Sequence, residues 1–333
     1  MLEKGIEVRG LSLKNRLVMA PVDFELSNGG TVSEKELAYY DERTKSGFVG
    51  LVVSEHTFVN PNGRAVKNQL STAKDEDVEG LTKLVDVIHG NGTPFFIQLS
   101  HGGSRIMDSN VTVEGISPSG LATPLRGAGP GKPQKTHEMS LEEIETLKQD
   151  FVKAALRVKT AGADGIELHM AHAYFLDQFF SPLTNHRQDQ YGGSVENRIR
   201  IVTELVTLLR EKLGDKMVIG VRLGACDYMD GGNTVKDGVE ASKFLEKAGV
   251  DYISVSGGQC GANNPKDRGV GFFGDAAKEI KKVVSVPVLL TGGVKTREDA
   301  ESLISDGSAD MIGVARALIQ NPNWAKQAFE KQV

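Results

Sequence analysis

Three side chains able to hold or move a proton fall within six residues of one another: His169, His172 and Tyr174. They follow a short apolar run, Gly165 to Leu168, where a buried strand should give way to a loop. Two imidazoles and a phenol at that point can hold a carbonyl oxygen and deliver a proton. A lone histidine at a strand end is usually a hydrogen-bonded core residue, but three such groups after one strand favour catalysis. The H-x-x-H spacing also suits a metal. No third ligand follows in a recognisable pattern and H-E-x-x-H is absent, so no metal is expected.

Eight short β-like runs supply the elements that must position this cluster. They are Leu17–Val22, Gly50–His56, Pro94–Leu99, Gly165–His169, Met217–Leu223, Tyr252–Ser256, Val286–Thr291 and Met311–Ala315. Most are rich in Val, Ile and Leu without alternation, as strands buried on both faces are. Helical patterns separate most of them. Ser33 with Glu36 predicts a capping box, Ser140 with Glu143 caps a long helix, and Ser194 with Asn197 begins another. Asp75 or Asp77 opens another helix, and further patterns lie near Val235–Ala248, Asp275–Val284, Thr296–Ser305 and Trp324–Lys331.

Strand then helix, eight times, is the order of a (β/α)8 TIM barrel, an α/β fold. The segment after the first strand, PVDFELSNGG, is not the G-x-G-x-x-G turn of a doubly wound sheet. Residues 1–15 read as a small hairpin closing the bottom of the barrel. Residues 101–139 form a long loop insertion after strand 3, with GAGPGKP at its centre, expected to be a lid or substrate loop. No linker divides the chain, so residues 1–333 are expected to form a single barrel domain.

In such barrels chemistry occurs at the C-terminal strand ends. Strand 1 ends in Ala20, Pro21, Val22 and Asp23, strand 2 near His56 and strand 3 in Gln98. Strand 5 carries Arg222, and strands 6, 7 and 8 end in Ser256, Gly292-Gly293 and Ala315-Arg316. A glycine pair and an arginine after the last two strands suit a phosphate. Gln98 matches a ring edge that alternates C=O and N–H. Arg222 suits a ring that becomes anionic on reduction, although a buried ion pair with Glu167 would also account for it. Together these features describe flavin mononucleotide.

The bulk properties narrow the class. Lys+Arg number 39 and Asp+Glu 44, a net charge of −5 without basic blocks, which disfavours nucleic acid and anionic membranes as partners. Two cysteines, Cys226 and Cys260, cannot make a disulfide framework and fall short of the four thiolates of an iron–sulfur cluster. MLEKGIEVRG lacks a signal-peptide apolar region, and no run approaches a membrane span, so a cytoplasmic location is expected. Homo-oligomerisation is left open.

The chain resembles the old yellow enzyme family of FMN-dependent NAD(P)H oxidoreductases and ene reductases, most closely the barrel domain of bacterial 2,4-dienoyl-CoA reductase. RLVMAPV (16–22), FIQLSHGGSR (96–105), GVRLG (220–224), GVARALIQNP (313–322) and, above all, SPLTNHRQDQYGGSVENR (181–198) carry the resemblance. It implies FMN across the barrel mouth. Pro21 and the backbone of Val22 and Asp23 would flank the ring, Gln98 its pyrimidine edge and Arg222 its N1 and O2. Gly292, Gly293, Ala315 and Arg316 would hold the phosphate. His169 and His172 would bind a small-molecule enone or enoyl substrate by its carbonyl oxygen, and Tyr174 would protonate its α-carbon after hydride transfer from flavin N5. NADH or NADPH would be the reductant.

Departures from the family are informative. Asp23 stands where many members have Cys or Thr, His56 where they have Ala or Gly, and Glu25 where one branch has a substrate-side Tyr. Asp23 and His56 end adjacent strands and are expected to interact, as an Asp–His⁺ pair that keeps the field beside the flavin neutral. The Cys-rich cluster site and dinucleotide-binding domain of multidomain members are not within these 333 residues. A flavin-dependent amine or other substrate dehydrogenase, a low-turnover flavin-binding protein and a flavin-free barrel aldolase or isomerase are the alternatives.

Overall fold

The computed structural model describes residues 1–107, 111, 113–124 and 136–330. The chain opens with an antiparallel pair, β1 (Ile6–Val8) and β2 (Leu11–Leu13), turned by Arg9 and Gly10, both at positive φ. Barrel strands follow: β3 (Leu17–Met19), β4 (Leu51–Phe58), β5 (Phe95–Ser100). A short pair, β6 (Gly115–Ser117) and β7 (Thr136–Glu138), lies outside the barrel. The remaining barrel strands are β8 (Gly165–Met170), β9 (Val218–Cys226), β10 (Tyr252–Gly257), β11 (Val288–Thr291) and β12 (Met311–Val314). All eight pair in parallel, and β12 closes on β3. The expected (β/α)8 barrel is present.

Seven helices run between or after the strands as expected: α1 (Glu34–Thr44), α2 (Asp77–Gly90), α3 (Leu141–Thr160), and beyond them α5 (Val195–Leu213), α6 (Val235–Ala248), α7 (Gly274–Lys281) and α8 (Arg297–Ser305). Two short helices carried no sequence signal, α4 (Phe175–Phe180) and α9 (Arg316–Gln320). The terminal α10 spans Trp324–Phe329, and the expected extension to Lys331 lies outside the described residues.

Several boundaries move for local reasons. The first barrel strand stops at Met19 rather than Val22, because Pro21 has no N–H to extend the ladder. Strands β4 and β9 run past their expected ends and carry more of the site into the cleft. Ser140 and Glu143 form the predicted capping box, whereas the Ser33 cap is one-sided. Ser33 accepts the Glu36 N–H, but the buried Glu36 side chain does not complete the reciprocal bond and reaches Glu55 as well. The GAGPGKP stretch lies outside the described residues.

The interior is filled from below. Val8 and Leu13 pack in one cluster with Val18, Leu51, Phe96, Val218, Leu289 and Met311 from six barrel strands. The hairpin is therefore a plug for the barrel bottom, leaving the top open. Tyr252 crosses the interior against Phe96, at 5.7 Å between ring centres, and Gly220 is required beside it because any Cβ there would collide with the Tyr252 ring. Leu13→Ala is expected to cost about 2–4 kcal/mol of stability by opening a cavity under the barrel. Urea unfolding measures this, and a cost below about 1 kcal/mol would mean that the hairpin does not plug the core.

Candidate active site

The open end of the barrel holds a cleft of ≈ 410 Å³, a size usual for small-molecule sites. Pro21, Val22, Asp23, His56, Gln98, His169, His172, Tyr174, Arg222, Ser256, Gly292, Gly293, Ala315 and Arg316 all line it. Thus all but two of the residues singled out from the sequence converge on one cavity. Ala20 is buried just behind it, held by its N–H to the Val314 carbonyl at 3.0 Å. Glu25 is exposed at φ 52°, its carboxylate accepting the Asn68 N–H rather than facing the cleft.

The turn after β8 is strained. His172 and Ala173 occupy the left-handed region in succession, at φ 58° and 61°, an arrangement that non-glycine residues adopt only when their surroundings impose it. The His172 N–H donates to the Gly257 carbonyl at 3.0 Å, the Ala173 N–H to Asp177 at 2.8 Å, and Gln178 to the Ala173 carbonyl at 2.7 Å. Arg105 donates to the His172 carbonyl. This bracing gathers three rings. His169 lies 5.1 Å from His172 and 4.8 Å from Tyr174 between ring centres.

Burial sets their charge. It pushes His169 and His172 well below the ordinary histidine value, and Arg222 reinforces the shift in both. Each ring is therefore neutral at physiological pH and offers one N–H. His169 Nδ1 is buried without a partner, while His172 Nε2 lies 2.6 Å from Ser256 Oγ. Burial raises Tyr174 above its ordinary value, so its phenol stays protonated.

The cleft floor is a separate network. Glu167 accepts from Gln98 Nε2 at 2.6 Å and from Tyr252 Oη at 2.7 Å. Arg222 is buried, with its Nε lacking any partner, and makes no ion pair among the described residues. Glu167 thus influences Arg222 through the field without engaging it directly.

On the opposite wall, His56 Nε2 lies 3.2 Å from Asp23 Oδ2, so the expected contact between these residues is present. It extends further than the strand order suggests. Asp23 contacts Glu55, and Glu55 contacts Glu36, a buried carboxyl that also feels the Ser33 N–H. Carboxylates only accept, so a chain of three must share protons. Burial opposes ionisation of Asp23, but His56, by its hydrogen bond and by any positive charge it carries, together with hydrogen bonds from Glu55 and the Glu25 N–H, brings its carboxyl down to about 2. Burial and the charges of Asp23 and Glu36 push Glu55 well above the carboxylate range. Asp23 carries the charge and Glu55 the proton.

The loops after β11 and β12 form a cradle. Gly292 and Gly293 have φ 143° and 71°. A Cβ on Gly292 would come within 2.8 Å of the Phe272 ring, and one on Gly293 would meet the Gly269 carbonyl oxygen. The backbone can therefore be approached closely here only because both residues are glycine. Thr291 Oγ1 is buried without a partner, and Arg316 stands exposed at the rim. Thr291, the last residue of the expected strand 7, lines the same cleft, and so do Phe272 and Arg105, which no sequence pattern had marked. Arg105 sits in the FIQLSHGGSR run, yet nothing in its spacing shows that its guanidinium lies 4.8 Å above the Tyr174 ring. No group of metal-capable side chains is present among the described residues.

A closed parallel barrel with a phosphate-type cradle, an unpaired buried arginine and neutral proton donors at its open end defines a cofactor-dependent barrel enzyme. Residues 2–332 match the NADH:flavin oxidoreductase / NADH oxidase family, and the chain belongs to it. The NADH oxidase of Thermoanaerobacter brockii is 38% identical over 331 residues, 97% of this chain and 50% of that relative, so the chain spans half its length. The NADPH dehydrogenase of Bacillus subtilis is 34% identical over 332 residues, covering 98% of this chain and 93% of that one. Among solved structures, an old yellow enzyme homologue from Zymomonas mobilis superposes with TM-score 0.86 at 28% identity, over 100% of this chain and 93% of that one. A 2-naphthoyl-CoA reductase complex superposes with TM-score 0.91 at 27% identity, over 98% of this chain and 51% of that one. FMN is the cofactor of this family, and NADH or NADPH its reductant.

The carboxyl chain makes a stability prediction. Because Glu55 holds its proton more tightly folded than unfolded, its favourable contribution is complete below the ordinary carboxyl value and is lost as pH rises through the folded one. Glu55→Gln, which keeps a donor without a titratable proton, should raise the urea midpoint at about pH 8 and change it little at about pH 4. An equal shift at both pH values would show that Glu55 is not the proton carrier.

Proposed function

We propose that the protein reduces the C=C bond of α,β-unsaturated carbonyl compounds. The observation that carries this reading is the convergence of two neutral imidazoles and a protonated phenol on one cleft. When bound, FMN supplies the electron pair, taken from NADH or NADPH and passed to the alkene. The residues present fit it. The glycine pair leaves room for a phosphate that Arg316 and Thr291 Oγ1 would bind. Arg222 Nε, buried and unpartnered, would serve the ring edge that gains negative charge, with Gln98 beside it.

The chain's own part is to hold the carbonyl and deliver a proton. Ser256 donating to His172 Nε2 would leave His172 with its N–H on Nδ1, and His169 retains an unsatisfied ring nitrogen. Neutral donors strengthen as enolate charge develops, and each such donor contributes on the order of 10²–10³ in rate. Tyr174 then gives its phenolic proton to the α-carbon. An imidazolium pair would instead compete with Tyr174 as acid, and burial beside Arg222 prevents it. An amine substrate offers no carbonyl oxygen for the two histidines, which favours the reductive reading over a dehydrogenase.

Tyr174→Phe should slow alkene reduction by about 10²-fold or more while leaving flavin reduction by NAD(P)H nearly intact, because only the second half-reaction needs the proton. Anaerobic stopped-flow separates the halves, and equal losses in both would make Tyr174 structural. The phosphate assignment is tested separately. Arg316→Ala should purify with less FMN than the parent, and unchanged FMN retention would remove Arg316 from the cofactor site.

A further inference from the structure

Gln69 belongs to the segment after β4, does not line the cleft, and is fully buried. Its amide oxygen accepts the Ala65 N–H at 2.8 Å, which fixes which end of the amide is which. The amide nitrogen then faces His56, donating to its carbonyl at 3.1 Å and lying 2.8 Å from its ring Nδ1. A nitrogen that faces an N–H donor must be an acceptor, so His56 Nδ1 is unprotonated and the ring proton sits on Nε2.

The consequence falls on Tyr174. His56 Nε2 lies 3.2 Å from Asp23 Oδ2 and 3.3 Å from Tyr174 Oη. With the proton on Nε2, His56 donates toward both oxygens and Tyr174 cannot donate in return. The phenolic hydrogen must point elsewhere, and among the described residues the other acceptor it meets is the weak one of Met107 Sδ at 3.9 Å. It is left free to point into the cleft that Tyr174 lines.

We propose that Gln69, through the tautomer it imposes on His56, is a positioning residue that aims the Tyr174 proton at the substrate. This rests on the ene-reductase reading for its purpose, though not for its geometry. It also revises the Asp–His⁺ pair expected from the sequence, since a second ring proton on Nδ1 would face the Gln69 amide donor. Asp23 is then the anion that holds the Nε2–H, and Glu55, donating its proton to Asp23, keeps that carboxylate ionised beside a neutral ring. After proton delivery the same Nε2–H faces the phenolate oxygen and stabilises it, so one arrangement serves Tyr174 before and after the step. No bond to His56 forms or breaks.

The chain has seven histidines, few enough for ¹⁵N-histidine NMR of the FMN-loaded protein, with His56 assigned by His56→Asn. His56 should show a protonated Nε2 and an unprotonated Nδ1. A proton on Nδ1 at neutral pH, in either the other tautomer or the imidazolium, would overturn the proposal. Kinetics supply the second measurement. Gln69→Met should slow substrate reduction by roughly 10-fold or more, with flavin reduction by NAD(P)H unaltered. In a Tyr174→Phe background the same substitution should have no further effect. An unchanged rate, or a full Gln69→Met effect without the Tyr174 hydroxyl, would reduce Gln69 to a structural role. If the parent reduces no enone at all, the function proposed above fails, and the NMR result alone decides the tautomer.

Discussion

Exclusion of water from the strand ends sets the state of the proton donors in this cleft. Burial alone drives imidazoles toward neutrality, carboxyls toward the acid and phenols away from ionisation. His169, His172, Tyr174 and Glu55 all follow it. Arg222 and Asp23 stay charged against that drive, one because a guanidinium cannot be deprotonated in protein, the other because His56, Glu55 and a backbone N–H all donate to it. The cleft therefore presents the Arg222 cation on one wall and the Asp23 anion on the opposite one, with neutral donors and the guanidiniums of Arg105 and Arg316 also lining it. A reaction that moves negative charge toward the cation and draws a proton from beside the anion fits that field.

Holding these groups dry requires a rigid frame, and the barrel provides one unevenly. Its lower half is an aliphatic core sealed by the Val8 and Leu13 plug. Its upper half gives up hydrophobic packing for hydrogen bonds, and there the backbone leaves its preferred conformations. The left-handed pair His172–Ala173 would relax without the Asp177, Gln178 and Arg105 contacts that pin both of its peptides. The rings of His169, His172 and Tyr174 meet only because of that turn. Strain located here and stability located below divide one fold into a part that supports and a part that reacts.

The division explains what could be read from the residues. Barrel strands announce themselves because both faces are buried, so Val, Ile and Leu run without alternation. Pro21 alone could have warned that the first strand ends early. Strand order was enough to bring Asp23 to His56, since neighbouring strands of a barrel deliver their ends side by side. Glu36 was read as a capping partner because its spacing from Ser33 is right. Its side chain instead turns inward to a carboxyl chain assembled from three separate segments, an attraction that no local pattern encodes. Gln69 and Arg105 lie in irregular segments, where nothing periodic relates a residue to the direction of its side chain.

The His56 tautomer shows why such residues matter as much as those that line the cleft. A histidine between a carboxylate and a phenol has two neutral forms, and they would point the phenolic hydrogen in opposite senses. Asp23 favours the form with its proton on Nε2, but a carboxylate also favours the imidazolium. Only a donor at Nδ1 excludes both the second tautomer and the doubly protonated ring. Gln69 supplies that donor, and its amide cannot reverse without stranding the Ala65 N–H in a buried site, an omission that costs about 1–3 kcal/mol. A hydrogen bond from the Ala65 N–H to a side chain that does not line the cleft thereby sets the direction of one hydrogen within it.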